Sequence, residues 1–365
     1  ITQDLHYIVD SLIFYKLYNI TIRTLNTSIR SWLIMNIAFA GFRHGHVFEL
    51  YKMAANNRDL HIVAAWEEDA EAINAAKKNG VVFTHQTYEE LLADKNIDIV
   101  AIGNYYGIRG NMIIKALRSG KHVITDKPLC TSLEELDEIT QLVKQTGLKV
   151  NCMLTMRYES RINAVKELFE SGRLGEIHNI YIGGQHPLNY GKRPSWYFEE
   201  GKHGGVINDI GIHGIDSINF ICGLRPSRIL SARCWNAYAR EERQFADSGQ
   251  FMLEMDNGAG MISDVSYSIP GSIGFSFPHY WEYHIWGSKG MVRFSMNSKA
   301  IDAYIDGEPQ GIAIPDAVVD ADCLTDFIGE INGKTDMRLS MKEVFQSSRD
   351  TLLIQKHAFS ENEKH

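Results

Sequence analysis

Short apolar runs alternate with amphipathic segments over the first part of the chain, from Asn36 to about Met156. The amphipathic segments carry apolar residues at helical spacing, and three of them close with Asn-Gly, Ser-Gly or Thr-Gly, which is typical of helix C-termini. Six strands connected by crossover helices predict an α/β domain with a doubly wound parallel sheet. The predicted strands are NIAFAG, HIVAAW, VVFT, IDIVAIG, HVIT and KVNCML.

The pattern changes after about residue 156. A helix, RINAVKELFESG, leads into long alternating stretches of β-branched and aromatic residues, and turns at 256–258 and 287–290 indicate hairpins. We therefore expect an α+β region with a mainly antiparallel sheet. The segment VINDIGIHGIDSINFICG supplies a helix to cover one face of this sheet. The other face stays open, and we expect it to form the interface of a homodimer or homotetramer.

The length of the chain predicts two domains, because 365 residues exceed one ordinary domain of about 150 residues. We place a nucleotide-binding domain at 35–156 and a substrate-binding and oligomerisation domain at 157–365. Met35 directly precedes the first convincing strand, so residues 1–34 are interpreted as an extension of doubtful status.

Composition narrows the choice of partners. The formal net charge of -8 and the pI near 6.0 argue against nucleic acid or an anionic membrane, because either would favour a basic surface. No stretch approaches the ~20 apolar residues of a membrane-spanning helix. The five cysteines include no C-x-x-C pair, which fits reduced thiols. These features predict a soluble cytoplasmic protein.

The turn AGFRHGH after the first strand stands where a dinucleotide-binding domain has its glycine fingerprint. In the G-x-G-x-x-G frame only Gly41 fits, because Arg43 and His46 replace the second and third glycines. The turn by itself is equally consistent with a plain strand-to-helix connection. Glu67, at the end of the second strand, is placed to accept hydrogen bonds from an adenosine ribose and to repel a 2′-phosphate. It therefore favours NAD over NADP.

Two further motifs carry candidate chemistry. Lys127 follows the fifth predicted strand, and the carboxyl ends of strands in an open α/β sheet line the ligand crevice. Asp209 and His213 are four residues apart, which on a helix puts both on one face. Taken singly, the motifs have structural alternatives, namely a surface lysine and a buried, mutually satisfied Asp-His pair. Taken together, they predict an active site.

Three sequence segments carry a resemblance to the Gfo/Idh/MocA family of glucose-fructose oxidoreductases and inositol dehydrogenases. DKPL resembles the family's E-K-P motif, NDIGIHGID its helix motif D-x-G-x-H-x-x-D, and GSKGMVRF its late hairpin. The likeness extends from Met35 to about Phe359. It implies a Rossmann domain, an NAD(P)-dependent dehydrogenase acting on a CH-OH group, and a catalytic set of Lys127, Asp209 and His213.

The chemistry of such a reaction suits these three side chains. A hydride leaves a carbinol carbon readily only while the hydroxyl proton is removed, so the site needs a base and a positive charge near the oxygen. We assign His213 as the base and Lys127 as the group that polarises the oxygen. Asp209 would orient the substrate hydroxyls or His213. The cofactor carries the redox chemistry, and no metal is expected.

The cofactor contacts follow from the resemblance, with three departures from the family pattern. Arg43 and His44 stand in the first turn, Asp126 replaces the usual Glu and is one methylene shorter, and NYYGIR replaces a T-P-x-x-x-H segment. The expected cofactor-binding residues are Gly41, Phe42, Arg43, His44, Glu67, Asn104, Tyr105, Asp126 and Lys127.

Substrate contacts are expected from aromatic and hydrogen-bonding residues near the catalytic helix, which suit a carbohydrate or cyclitol although they could also cap the sheet. We expect hydride transfer between NAD and a sugar, a sugar derivative or a polyol. Two alternatives stay open: a redox-neutral glycosidase or lyase cycle with bound NAD, and a non-catalytic ligand-sensing protein on the same fold. The expected substrate-binding residues are Arg157, Tyr158, His186, Trp196 and Asn208.

Overall fold

The first part of the chain folds around a five-stranded parallel sheet. The computed structural model describes residues 34–362, with side chains up to 360. The strand order is β2-β1-β3-β4-β5, and every neighbouring pair is parallel. The strands are β1 (Met35–Ala40), β2 (Leu60–Trp66), β3 (Ile99–Ile102), β4 (His122–Thr125) and β5 (Val150–Cys152).

Helices cover both faces of this sheet. Ile37 and Phe39 of β1 pack in one apolar cluster with α1 and α2, whereas Ala38 and Ala40 pack in another with α3, α4 and α5. Two separate cores on alternate residues of one strand are what a doubly wound sheet requires, so this prediction is confirmed. The helices are α1 (His46–Asn56), α2 (Ala70–Lys78), α3 (Tyr88–Ala93), α4 (Tyr106–Arg118) and α5 (Leu133–Thr146).

One of the six predicted strands, VVFT, is wrong. The segment runs beside β2, and the Thr84 backbone N–H donates to the Ala65 carbonyl at 3.0 Å. The Ala65 N–H, however, donates to the Thr84 side-chain hydroxyl at 3.2 Å. Because a side chain takes the acceptor position of the backbone carbonyl, no regular ladder forms and β2 is the edge strand.

The second sheet has eight strands in the order β13-β12-β11-β10-β6-β9-β8-β7. Every pair is antiparallel except β6 with β9, and both predicted hairpins are present, joining β8 to β9 and β10 to β11. The prediction of a mainly antiparallel sheet is confirmed. The strands are β6 (Ile177–Pro187), β7 (Pro226–Trp235), β8 (Ser248–Met255), β9 (Gly260–Ile269), β10 (Glu282–Gly287), β11 (Gly290–Ser295), β12 (Ile301–Ile305) and β13 (Glu308–Ile314).

One face of the second sheet is covered and the other is open. The helices α6 (Ser160–Glu170) and α7 (Ile212–Cys222) pack on the covered face, where Ile182 and Ile215 belong to one large apolar core. The open face carries exposed apolar side chains on several strands. They include Leu230, Met252, Ile262 and Tyr304.

The last two helices join both parts of the molecule. In α8 (Cys323–Ile331), Phe327 packs in the core of the first sheet; in α9 (Met341–Asn362), Leu352 packs against the first sheet and Ile354 against the second. A C-terminal segment thus completes the nucleotide-binding part, while the domain boundary at 156 stays a prediction. Over residues 34–362, no helix combines the length and the apolar character that crossing a membrane requires.

Candidate active site

A cavity of about 340 Å³ lies where the carboxyl end of the parallel sheet meets the covered side of the second sheet. Its wall combines side chains from the β1–α1 turn, the β4 end, β6, β9 and the start of α7. Four imidazoles, two cationic side chains and two carboxylates face this space. The lining includes His44, His46, Lys127, Glu159, His186, Arg193, Tyr197, Asp209, His213, Tyr267, Tyr280 and Trp281.

Lys127 forms a buried ion pair with Asp209. The ammonium contacts Asp209 Oδ1 and also donates to the Asp209 carbonyl at 3.1 Å. The backbone around Lys127 is held by the fully buried Arg109, whose guanidinium donates to the carbonyls of Asp126 at 2.8 Å and Lys127 at 2.6 Å. The Lys127–Pro128 peptide bond is cis. These contacts fix the lysine at the tip of β4.

Asp209 and His213 reach the cavity from a widened helical turn. Residues Ile207–Gly211 form a π-helical turn that runs directly into α7, and such turns often occur at functional sites. A Cβ at Gly214 would lie 3.3 Å from the Ile182 side chain, so the small residue there lets α7 approach the second sheet closely. Asp209 and His213, predicted from their four-residue spacing, therefore face the same cavity as Lys127.

The Asp209 carboxylate is surrounded by donors. Tyr267 donates its hydroxyl proton to Asp209 Oδ2, and His203 Nε2 lies 2.9 Å from the Tyr267 oxygen and 3.6 Å from Asp209 Oδ2. The Gly205 N–H donates to His203 Nδ1 at 3.2 Å, which places the imidazole proton on Nε2. Burial alone would raise the pKa of Asp209, but Lys127 and His203 hold it well below its usual range. The carboxylate therefore stays charged.

His213 is held as a neutral imidazole. Burial lowers its pKa well below the ordinary value, and the nearby Lys127 charge lowers it further. Its Nδ1 atom is buried and has no hydrogen-bond partner among residues 34–362. The ring lies edge-on to Trp281 at 5.6 Å, and Trp281 has a φ of 52°, a left-handed conformation that is rare for a bulky residue. The His213 ring nevertheless lines the cavity, where a ligand can contact it.

His186 is a second imidazole of this kind. Its Nε2 lies 3.3 Å from the Tyr280 hydroxyl, and its Nδ1 has no partner in the described part of the chain. Burial, and then the Lys127 charge, lower the pKa of His186 to about 3. Of the five predicted substrate-binding residues, His186 alone lines the cavity.

The backbone of the glycine turn allows a ligand to approach closely. Gly41 has a φ of 87°, and a Cβ on it would lie 2.7 Å from Asn104, so only glycine fits. Asn104 Nδ2 is buried and lacks a hydrogen-bond partner within the described residues. The side chain of Phe42 packs into the core against Phe39 and Phe83, which leaves only its backbone on the ligand side.

Arg43 folds onto the carboxylates at the end of β2. Its Nε donates to Glu67 Oε1 at 2.9 Å, and its guanidinium also lies 3.7 Å from Glu68 and 3.5 Å from Asp69. Glu67 further accepts from the backbone N–H of Phe42 at 2.6 Å. The side chain that replaces the second fingerprint glycine thus swings aside from the turn and covers the position where an adenosine ribose is expected.

Asp126, next to Lys127, is enclosed by cationic and imidazole groups. His44 Nδ1 contacts one carboxylate oxygen, and His46 Nδ1 lies 3.1 Å from the other. Arg109 donates to Asp126 Oδ2 at 3.1 Å. Burial would raise the pKa of Asp126, but the two imidazoles and Arg109 hold it well below its usual range. Burial lowers the pKa of His44 to about 4, against the opposing effect of Asp126.

Two residues predicted to bind substrate are engaged elsewhere in the fold. Arg157 is fully buried and donates to both oxygens of Asp216 at 2.9 Å and to Glu343 at 2.6 Å. The Tyr158 hydroxyl donates to Asp326 at 2.5 Å. A guanidinium paired with two carboxylates has no free donors for a ligand, and neither Arg157 nor Tyr158 lines the cavity.

Three other predicted contacts also lie outside the cavity. Asn208 donates from its amide to the Cys130 carbonyl at 3.0 Å. Trp196 donates from its indole nitrogen to the Arg43 carbonyl at 3.3 Å and tethers the glycine turn to the second sheet. Tyr105 directly precedes α4, and the Lys202 ammonium lies 5.0 Å from its ring centre. Each has a satisfied partner within the chain.

Several residues that line or support the cavity were missed by sequence reasoning. Tyr267 stands in the alternating strand SDVSYSI, where it looks like any inward-facing aromatic residue. Arg193 follows β6 in a loop, and its guanidinium lies over the Tyr197 ring at 4.6 Å. Arg109 belongs to the NYYGIR segment noted as a departure. No local spacing links these residues to Lys127, because their contacts are made only in the folded chain.

Comparisons with known proteins assign the chain to a class. A sequence profile described as an oxidoreductase family with an NAD-binding Rossmann fold matches residues 35–153. A second profile, the GFO/IDH/MocA C-terminal domain, matches residues 162–293. Fold and profiles together define an NAD-binding oxidoreductase. The chain belongs to the Gfo/Idh/MocA family, as its DKPL and NDIGIHGID segments predicted.

Individual relatives are distant. An uncharacterised oxidoreductase from Synechocystis is 24% identical over 281 residues, which cover 75% of this chain and 74% of that protein. The scyllo-inositol 2-dehydrogenase (NAD(+)) of Bacillus subtilis is 28% identical over 201 residues, 54% of this chain and 57% of that enzyme. The structure of levoglucosan dehydrogenase with NADH and levoglucosan has a TM-score of 0.71 at 18% identity, covering 90% of this chain and 98% of that one. This last likeness shows the fold alone.

Proposed function

We propose that this protein is an NAD-dependent dehydrogenase that moves a hydride between the cofactor and a secondary alcohol or carbonyl of a sugar, a sugar derivative or a polyol. The observation that carries the proposal is that a charged Lys127–Asp209 pair and the neutral His213 line one cavity at the carboxyl end of the parallel sheet. Relatives named for inositol and levoglucosan support the substrate class.

The residues of the first turn fit a dinucleotide. Gly41 leaves the backbone open for close approach, and the N-terminus of α1 directly follows the turn, where backbone N–H groups favour a pyrophosphate. The unpartnered amide of Asn104 offers a donor to the ligand. When bound there, NAD supplies the nicotinamide ring that takes up or gives back the hydride.

The three side chains divide the remaining work. Lys127 donates to the substrate oxygen and stabilises the negative charge that grows on it as the hydroxyl proton leaves. Asp209 remains charged, keeps Lys127 in place and accepts a substrate hydroxyl. His213 takes up the hydroxyl proton, because its neutral ring lines the cavity and has a lone pair to accept it. The surrounding aromatic side chains exclude water from this exchange.

We further propose that NAD is preferred over NADP. The Glu67 carboxylate, with Glu68 and Asp69 beside it, sets a cluster of negative charge at the end of β2. Arg43 balances one of these charges only. A 2′-phosphate would meet a net repulsive surface, whereas ribose hydroxyls carry no charge for this surface to repel.

The test is a panel of sugars and polyols assayed for NADH formation. We expect Lys127→Met to lower kcat at least about 100-fold on any active substrate, because it removes the charge that stabilises the developing oxyanion. Lys115→Met is the control, since Lys115 pairs with Glu89 on the surface at 2.9 Å. Equal loss in both variants would contradict the proposal. Release of a leaving group without net NADH would favour the redox-neutral alternative.

We also propose a homo-oligomer built through the open face of the second sheet. Met252 of β8 and Ile262 of β9 are directly paired across the strands and are 43% and 52% exposed. Exposed apolar side chains that adjoin across neighbouring strands are more typical of an interface than of a solvated sheet.

A further inference from the structure

Three potential metal ligands meet at the mouth of the cavity. His44 lies in the turn before α1, His46 is the first residue of α1, and Asp126 follows β4. One nitrogen of each imidazole and one carboxylate oxygen of Asp126 lie within 4.8 Å of one another. Both rings turn Nδ1 toward the same carboxylate.

The cluster brings His46 beside two of the expected cofactor-binding residues, His44 and Asp126. His46 stands where the fingerprint expects its third glycine, His44 belongs to the most divergent turn, and Asp126 replaces the Glu of E-K-P. These departures are 80 and 82 residues apart in the chain, yet their side chains touch. Unusual residues that meet at one point indicate a role particular to this chain.

We propose that His44, His46 and Asp126 bind a divalent transition-metal ion, with zinc as the reference case. Two imidazoles and one carboxylate are a common three-ligand set for zinc and for other first-row ions. Ligand atoms at about 2.1 Å from a tetrahedral ion lie about 3.4 Å apart, so the three side chains need only small shifts to close around one.

The surroundings suit a metal site with an open position. Arg109 fixes the carboxylate from behind by donating to Asp126 Oδ2, as outer-shell partners of metal ligands do. The His44 ring is packed against Tyr106 at 5.4 Å. The His46 side chain is 44% exposed and gives the ion an entry path. Three protein ligands leave a fourth position for water or a ligand, and both histidines line the cavity that holds Lys127.

Lys127 and Arg109 are close enough to repel an added metal ion, but each already pairs with a carboxylate. Lys127 is neutralised by Asp209, and Arg109 shares Asp126 while its second amino group binds backbone carbonyls. The net charge of these four side chains is therefore zero. A carboxylate with two oxygens can serve Arg109 and a metal ion at once.

The experiment uses the whole protein, stripped of metal by a chelator and free of cofactor and substrate. Co²⁺ is titrated as a spectroscopic probe and Zn²⁺ by calorimetry. We expect one ion per chain, visible absorption bands of Co²⁺ with nitrogen and oxygen ligands, and displacement by Zn²⁺. Because no turnover is measured, the result is independent of the proposed dehydrogenase activity.

The variant His46→Ala removes the most exposed ligand, and Asp126→Asn removes the anionic one at nearly constant shape. We expect each to weaken Zn²⁺ binding more than about tenfold. His284→Ala is the matched control, because His284 also pairs with a carboxylate, Glu282 at 3.0 Å, but lies outside the cavity. Unchanged affinity in His46→Ala, or equal loss in His284→Ala, would overturn the proposal. So would the absence of stoichiometric binding to the unaltered protein.

Discussion

The hydroxyl of Tyr267 donates a hydrogen bond to the carboxylate of Asp209, which lies 58 residues earlier in the chain and pairs with Lys127. The strand β9 thus supports the ion pair formed between β4 and the turn before α7. His203 lies against the same two groups, so the Asp209 carboxylate has three fixed neighbours. A lysine held in this way is oriented before any ligand arrives.

Removing this support should slow catalysis more than it weakens binding. We expect Tyr267→Phe to lower kcat about tenfold with little change in KM, because one lost hydrogen bond to a charged group is worth about 1.5–3 kcal/mol. Steady-state kinetics and denaturant unfolding measure the two effects. Tyr283→Phe is the control, since Tyr283 is equally buried and its hydroxyl lies 2.9 Å from Ser217 outside the cavity. If both variants lose only stability, Tyr267 has no positioning role.

The buried imidazoles make stability depend on pH. Burial lowers the pKa of His186 to about 3, whereas an unfolded histidine titrates near 6.5. Below 6.5 the unfolded chain binds a proton that the folded chain excludes, so this stability is present above pH 6.5 and is lost as the pH falls toward about 3. In this range, each unit of pH decrease lowers the free energy of unfolding by at most about 1.4 kcal/mol for this one histidine.

Guanidinium unfolding from about pH 7 to about pH 4.5 tests this dependence. We expect His186→Gln to lose stability less steeply than the unaltered protein over that range. His178→Gln, a change at an exposed position in the same strand, should follow the unaltered protein. Parallel slopes for all three proteins would show that His186 does not contribute.

Much of the fold was predictable from periodicity. Alternation in β8 and β9 and the helical spacing of α7 are local properties, because one face of each element is buried. The strand prediction for VVFT was wrong, because the hydrophobic pattern does not reveal how Thr84 pairs. Its side-chain hydroxyl, instead of a backbone carbonyl, accepts the hydrogen bond from the Ala65 N–H. Strand propensity alone does not fix the hydrogen-bond partner.

The site was predictable only where its residues form short motifs. Asp209 and His213 lie one helical turn apart, so their spacing alone put them on one face. Tyr267 and His203 act through contacts between distant segments, and no sequence spacing encodes those contacts. Arg157 was assigned to substrate because of its charge, but the residue that satisfies it, Asp216, stands 59 residues further on.

Cofactor preference should depend on Glu67. We expect Glu67→Ala to reduce the NAD-over-NADP ratio of kcat/KM at least about tenfold, since it removes one repulsive charge and releases Arg43 toward a 2′-phosphate. Glu89→Ala is the control, because the Glu89 side chain is 68% exposed and pairs with Lys115 instead of Arg43. A similar ratio in the unaltered protein and in Glu67→Ala would assign the discrimination to other residues.

The open sheet face should carry the subunit contact. We expect Ile262→Asp to shift the protein toward monomer in sedimentation velocity, because a charge buried among apolar side chains at an interface is costly. Val318→Asp introduces the same charge at a side chain that is 94% exposed and outside the sheet. If neither or both variants change the sedimentation coefficient, the interface lies elsewhere or the chain does not associate through this face.

Arg157 should stabilise the fold without contacting substrate. Its guanidinium is buried, so Arg157→Met leaves Asp216 charged and unpaired, and we expect a loss of about 3–5 kcal/mol in the free energy of unfolding. Arg228→Met breaks an exposed ion pair with Glu254 at 2.5 Å and should lower the free energy of unfolding by no more than about 1 kcal/mol. Arg157→Lys, measured below its melting temperature, should keep the KM of the unaltered protein. A raised KM in that milder variant would return Arg157 to the substrate site, because a purely structural cation affects the folded fraction and not the affinity of folded molecules.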